Sequence, residues 1–177
     1  MWVRFMILLQ PVGTVDRDMI KTLEQRVASI FGAAKVIPAT KVPASTYVRE
    51  RNQFDGENIL YDLSSEGDVT LGITEVDIFV KGLNFVFGLA DDGMALISLR
   101  RLRQEFYELQ EDVLLLELRA LKEAIHELGH VFGLAHCPER RCVMYFSNSI
   151  LDTDFKDWRY CKGCAEVLRI SGQAVRL

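Results

Sequence analysis

Residues 126–136 read His-Glu-Leu-Gly-His-Val-Phe-Gly-Leu-Ala-His, and they contain all three histidines of the 177-residue chain. Two side chains that are four residues apart on an α-helix differ by about 400° of rotation and about 6 Å of rise. His126 and His130 therefore project from adjacent turns in the same direction and can bind one metal ion. The stretch predicts a metal-binding helix.

The third histidine cannot lie on the same helical face. His136 follows His130 by six residues, and a continuing helix would rotate it by about 600°. The chain must therefore turn, and Gly133 is the residue best able to adopt the left-handed conformation that ends a helix. A catalytic zinc site typically has three protein ligands and leaves a fourth position to water. We therefore predict a catalytic zinc bound by His126, His130 and His136.

Glu127 directly follows the first predicted ligand. It lies about 100° further around the helix, which places its carboxylate beside the metal rather than on it. The predicted role of this carboxylate is proton transfer. A purely structural set of histidines has no need of a carboxylate at this position. The whole pattern, with its glycine before the last histidine, is typical of zinc peptidases.

The four cysteines all follow the histidines, as a Cys-x4-Cys pair and a Cys-x2-Cys pair separated by 18 residues. This spacing is expected when two short loops bind a tetrahedral structural zinc. Disulfides are the alternative, which we disfavour because no secretion signal is evident. A redox role for the second pair alone would leave the first pair without a function. We therefore predict two Zn²⁺ per chain, the structural one bound by Cys137, Cys142, Cys161 and Cys164.

Together these motifs resemble those of the archaemetzincins, a branch of the metzincin zinc peptidases. The resemblance depends on residues 126–136 and on the cysteines and Met144 that follow, and it densely covers 39 residues. It implies that the histidines bind the catalytic zinc, that Glu127 is the general base and that Met144 forms an apolar floor beneath the imidazoles. Some metzincins have a metal-binding tyrosine two residues after this methionine, but here Phe146 occupies that place. We assign no role to Tyr145.

The resemblance and the residue pattern predict an α+β, metzincin-like fold with two lobes. It would have a twisted mixed sheet backed by helices, a central active-site helix and a small zinc-stapled C-terminal lobe. Residues 1–133 would form the first lobe and residues 134–177 the second, with the active site in the cleft between them. Periodicity predicts helices at 16–31 and 49–65, the second ending near Gly67. The predicted strands are 5–9, ended by Gln10-Pro11, then 34–39, 69–74, 78–80, 85–90 and 94–99, with a hairpin turn at 91–93.

The segment 105–133 gives the strongest helix prediction. Its apolar residues recur at alternating spacings of four and three, and we expect this stripe to pack against the sheet. His126 and His130 lie roughly opposite the stripe, so the helix would have the sheet behind it and the metal in front. The stripe consists of Leu114, Leu118, Leu121, Ile125, Leu128 and Phe132.

The composition, with 49% hydrophobic and 26% charged residues, predicts a soluble globular protein. A formal net charge of −4 argues against nucleic acid as the main partner, because phosphate binding normally calls for a basic surface. Arg100, Arg101 and Arg103 form the one local basic cluster, which we interpret as a solvated helix start. The apolar segment 5–9 is too short for a signal-peptide core or a membrane span. We expect a cytoplasmic monomer without membrane or nucleic-acid partners.

The predicted function is zinc-dependent hydrolysis of a peptide or protein substrate, through a metal-activated water with Glu127 as general base. The substrate would pair with an antiparallel edge strand, which residues 83–99 could supply. Two other readings stay open. One is a catalytically inactive zinc protein that binds peptides or a partner in the cleft, and the other is a zinc-stapled module that holds nucleic acid. The presence of Glu127 favours the enzyme, and the acidic charge opposes the nucleic-acid module.

Overall fold

Two β-sheets and five α-helices make up the part of the chain that the computed structural model describes, residues 6–64 and 69–170. The strands are β1 (Ile7–Val12), β2 (Ala34–Val36), β3 (Tyr47–Val48), β4 (Gln53–Asp55), β5 (Val69–Thr74), β6 (Ile78–Phe79), β7 (Gly88–Asp91) and β8 (Met94–Ser98). The helices are α1 (Arg17–Phe31), α2 (Gly56–Leu60), α3 (Val113–Val131), α4 (Ile150–Phe155) and α5 (Lys162–Ile170). The predicted combination of a mixed sheet with helices is confirmed.

The larger sheet has the strand order β2-β1-β5-β8-β7. The first four strands are parallel, and β7 runs antiparallel to β8 at one edge. The turn between β7 and β8 is the predicted hairpin, and its Asp92 and Gly93 have φ angles of 43° and 79°. Helix α1 matches its prediction, with Asp16 as the N-cap accepting hydrogen bonds from the backbone N–H groups of Asp18 and Met19. None of the helices in the described part of the chain combines the length and apolar composition that a membrane span requires.

Strand β1 does not stop at Gln10-Pro11, as the sequence predicts, but continues to Val12. The partner β2 pairs only as far as Leu9. The backbone of Pro11 on that side meets Thr40 instead, whose N–H donates to the Pro11 carbonyl at 2.9 Å. Proline has no N–H to donate to a neighbouring strand. It is tolerated at this position because the pairing of β1 with β2 has already ended there. Phe5, the first residue of the predicted strand, lies outside the described residues.

The helix predicted at 49–65 is largely wrong. Its first half forms the turn and second strand of the antiparallel pair β3–β4, and only Gly56–Leu60 is helical. Asn52, in the turn between the two strands, has a left-handed φ of 52°, which a continuous helix does not allow. Asp55 then caps α2 with hydrogen bonds from two backbone N–H groups. The predicted end near Gly67 lies outside the described residues.

The central helix exists but is shorter than predicted. Residues 104–107 form a separate 3₁₀ turn, and Glu108 follows it with a left-handed φ of 60°. Helix α3 begins only after Asp112, whose side chain accepts a hydrogen bond from the N–H of Leu115 at 2.9 Å. A local cap and a left-handed residue therefore set the start of the helix, although the apolar spacing continues through them.

The apolar stripe faces the sheet only in part. Leu114 is 77% exposed and Leu118 also lies at the surface, which contradicts the prediction for the first two turns of α3. From Arg119 to Gly129, by contrast, every residue is buried. The second half of α3 is therefore largely shielded from solvent, and its polar residues need partners.

The basic cluster is more than a solvated helix start. Arg101 donates two hydrogen bonds to the carboxylate of Asp77, at 2.6 and 2.8 Å. Arg103 does the same to Glu75, at 2.9 and 2.6 Å. These two arginines fix the chain after β8 to the segment after β5.

Candidate active site

The three histidines converge on one point. Helix α3 ends at Val131, and Gly133 has the expected left-handed backbone with a φ of 90°. The Nε2 atom of His130 lies 3.1 Å from Nε2 of His126 and 3.2 Å from Nε2 of His136. The nitrogen ligands of a tetrahedral zinc, with Zn–N distances of about 2.0–2.1 Å, lie about 3.3 Å apart. The donor set therefore fits a zinc ion in type and in spacing.

Backbone carbonyls orient two of the rings. The Nδ1–H of His126 donates to the carbonyl of Val143 at 2.7 Å, and that of His130 donates to the carbonyl of Leu134 at 2.8 Å. With the proton on Nδ1, the lone pair of Nε2 is available to a metal. Burial is the main cause that lowers the pKa of His126 to about 3, and burial also lowers the pKa of His130 and His136. The neutral imidazole, which is the form that binds metal, is thus favoured.

Glu127 lines the cleft in front of the histidines and is only 4% exposed. The pKa of Glu127 is raised well above the usual value for a carboxyl group. Burial is the main cause, and the negative charge of Glu123 is the second. Among the residues that the structure describes, no group donates a hydrogen bond to this carboxylate. Its position therefore depends on the packing around it.

A buried ion pair lies next to the site, and its Glu123 lines the same cleft. The ammonium of Lys156 lies 3.1 Å from Oε1 of Glu123, and the hydroxyl of Thr153 donates to the same oxygen at 3.1 Å. Lys156 also donates to the carbonyl of Tyr145 at 3.4 Å. Burial acts to raise the pKa of Glu123, but the positive charge of Lys156 acts in the opposite direction, and the pKa is lowered overall. The pair thus connects α3 to α4 and to the loop that follows Met144.

Replacing Lys156 with methionine should destabilise the protein by about 3–5 kcal/mol, because it leaves the buried Glu123 carboxylate without a counter-ion. Urea unfolding measures this free energy. The matched control is the double variant Glu123→Gln with Lys156→Met, which removes both charges and should recover most of the loss. Equal stability of the single and the double variant would show that the pair does not behave as a buried ion pair.

Sequence reasoning did not select Glu123, although it lies one helical turn before Glu127 and could have been noticed by that spacing. No pattern in the sequence around Lys156 indicates its role, because its pairing with Glu123 depends on how the chain returns to α3. A third missed residue is Gly129. A Cβ atom there would overlap the Met144 sulfur and would lie 3.2 Å from the ring of Tyr160. The glycine therefore allows the buried Met144 to approach α3 closely.

The four cysteines also come together. The sulfur of Cys137 lies 3.8 Å from that of Cys161, and the sulfur of Cys142 lies 3.7 Å from that of Cys164. None of the four forms a disulfide, and their sulfur atoms lie within 4.8 Å of one another. Sulfur ligands of a tetrahedral zinc, with Zn–S distances of about 2.3 Å, lie about 3.8 Å apart. The N–H of Cys161 points at the sulfur of Cys142 at 3.3 Å, as expected for a thiolate ligand.

A cleft of about 520 Å³ lies in front of the histidines. One wall is formed by residues 83–90, which include most of β7, the edge strand of the larger sheet. The opposite wall is formed by residues 146–148, where the ring of Phe146 meets that of His136 edge-on at 4.9 Å. The hydroxyl of Ser147 in this wall is buried and has no hydrogen-bond partner among the described residues.

Comparison with known proteins gives a consistent result. The family model described as peptidase family M54 matches residues 20–170. An archaemetzincin of Methanocaldococcus jannaschii is 50% identical over 168 residues, which cover 94% of this chain and 94% of the relative. An archaemetzincin of Pyrococcus furiosus is 46% identical, with 93% of each chain covered.

Solved structures agree with these relatives. The crystal structure of archaemetzincin AmzA from Archaeoglobus fulgidus, complexed with malonate, superposes with a TM-score of 0.83 at 39% identity, covering 92% of this chain and 99% of that one. Archaemetzincin from Methanopyrus kandleri superposes with a TM-score of 0.82 at 35% identity, covering 95% and 96%. The whole described fold, and not the histidine motif alone, is therefore similar to these proteins.

Proposed function

Since the chain belongs to peptidase family M54, the archaemetzincins, and is a zinc metallopeptidase, we propose that Glu127 is its general base and that His126, His130 and His136 hold the catalytic zinc. The observation that carries this proposal is the convergence of the three Nε2 atoms beside the buried carboxylate. A zinc ion at this point supplies Lewis acidity toward the scissile carbonyl and lowers the pKa of a water molecule to about 7.

Glu127 performs the proton transfers in this proposal. Its carboxylate takes a proton from the attacking water and then passes it to the nitrogen of the leaving amine. The hydrogen bonds from His126 and His130 to backbone carbonyls keep the imidazoles oriented while the substrate reacts.

We propose that the substrate is a peptide in extended conformation, paired with the free edge of β7. Within the described residues this strand pairs with β8 on one side and with no strand on the other, and it lines the cleft. An extended peptide added to such an edge gains backbone hydrogen bonds whatever its side chains are. The walls near the histidines present apolar side chains such as Phe87 and Phe146, so uncharged residues around the scissile bond are favoured.

We also propose that Cys137, Cys142, Cys161 and Cys164 bind a second, structural zinc, which makes two per chain. The sulfur spacing supports this reading. The zinc would hold residues 134–177 as a small lobe against residues 1–133. Four reduced cysteines are typical of a cytoplasmic protein, and we propose that the chain acts there as a monomer.

A peptide library tests the proposed function. The zinc-loaded protein is incubated with a library of unlabelled peptides, the products are identified by mass spectrometry, and the metal content is measured on the same sample. We expect cleavage that a chelator abolishes and that added zinc restores. Peptides that bind to the zinc-loaded protein but stay intact would instead identify a binding protein without catalysis.

A further inference from the structure

We infer that Gly88 is a positioning residue for the general base: its lack of a side chain creates the space in which the Glu127 carboxylate lies. This inference rests on the proposed function of Glu127. Gly88 is the first residue of β7. A Cβ atom built on it would lie 2.7 Å from both Cγ and Oε1 of Glu127 and 2.9 Å from Cδ. Real Cβ atoms essentially never approach other heavy atoms closer than 3.0 Å.

The backbone of Gly88 does not itself require glycine. Gly88 is not among the glycines with positive φ, so an alanine could adopt the same conformation. A glycine in a strand normally weakens the strand, because it has no side chain to pack and loses more entropy on folding. Such a glycine often marks a place where another group approaches the backbone closely. At Gly88 that group is the side chain of Glu127.

The backbones of the two residues cannot move apart freely. Glu127 belongs to the half of α3 in which every residue is buried, while its carboxylate faces the cleft. Gly88 is held in register opposite Ile97 of β8, so β7 cannot shift without breaking its only ladder in the larger sheet. No group of the described chain donates a hydrogen bond to the carboxylate, so packing contacts, this one among them, position it. An added methyl group would therefore push the carboxylate along the cleft.

The contact also sets the distance between the base and the substrate. Strand β7 is the edge on which we place the peptide, and the same strand carries the surface against which Glu127 rests. Gly88 therefore fixes the distance between the paired peptide and the carboxylate of Glu127. A displacement of about 1 Å of a catalytic group can cost about 100-fold in rate.

A double-mutant cycle tests the inference. Gly88→Ala should reduce kcat by about 100-fold while KM and zinc content stay near those of the parent. It should also lower the thermal unfolding midpoint in the parent, but much less in a Glu127→Ala background, where the space beside residue 88 is vacant. If Gly88→Ala folds only in that background, the same coupling is demonstrated.

Three outcomes would overturn the inference. An equal loss of stability in both backgrounds would show that the glycine serves the strand and not the carboxylate. A raised KM with an unchanged kcat would show that the methyl group obstructs the peptide. Unchanged activity would show that the base needs no such space. The stability cycle needs no turnover, so it remains decisive even if the parent hydrolyses no peptide, a result that would reject the proposed function itself.

Discussion

A Glu127→Gln variant is expected to lose peptide hydrolysis by about 10²–10⁴-fold in kcat/KM, which is the usual contribution of general acid–base catalysis, and to keep its zinc. Glutamine has nearly the shape of glutamate, so it occupies the same space beside Gly88. Its amide cannot accept the proton of an attacking water. Steady-state kinetics with a cleavable peptide, together with zinc analysis of the same preparation, measures both effects.

Helix α3 offers a matched control for this variant. Glu117 lies on the same helix outside the cleft, where its carboxylate is 3.4 Å from the hydroxyl of Thr22. A Glu117→Gln change alters the charge of the protein by the same amount and should leave kcat/KM at the level of the parent. If the Glu127→Gln variant cleaves peptides as fast as this control, another group must accept the proton.

The sequence was most informative where a few neighbouring residues determine the geometry. His126 and His130 face the same way because of the helical period alone, and Gly133 had to turn the chain for His136 to approach. The same reasoning holds for the two short cysteine loops, whose ends are only a few residues apart. In each of these places the local backbone leaves little freedom, so spacing was sufficient.

The apolar stripe of α3 shows where periodicity stops being informative. Leu114 fits the pattern as well as Ile125 does, but it is exposed, whereas Ile125 is buried. The spacing of apolar residues predicts which face of a helix is apolar. It does not predict how far the opposing sheet extends along that face. The start of α3 was missed for a related reason, since the cap at Asp112 is compatible with the same apolar spacing.

The residues that support the site could not be found by spacing, because they come from distant parts of the chain. Lys156 reaches Glu123 only because α4 returns to α3, and Gly88 lies on a strand that precedes α3 by more than twenty residues. The hydrophobic residues near Lys156 give no sign that its ammonium group is buried. Long-range contacts of this kind follow from the complete topology and not from any local pattern.

A Cys161→Ser variant is expected to lose the structural zinc and with it the folded structure of the region that contains the cysteines. Structural zinc contributes an apparent free energy of about 10–16 kcal/mol in small zinc domains, compared with a total stability of about 5–15 kcal/mol for a typical protein. The loss of one thiolate should therefore lower the thermal unfolding midpoint strongly. Zinc analysis of the purified variant should give fewer than the two ions per chain expected of the parent.

This loss should extend to catalysis, although no cysteine lines the cleft. The N–H of Cys137 donates to the carbonyl of Met144 at 2.9 Å, and the carbonyl of Val143 orients His126. If the cysteine loops unfold, the carbonyl of Val143 no longer orients the ring of His126. A His136→Ala variant is the matched control, because it should lose the catalytic zinc and its activity but keep the stability that the cysteines provide. A Cys161→Ser protein that melts like the parent and binds as much zinc as the parent would contradict this prediction, because it would show that Cys161 is not a ligand of a structural zinc.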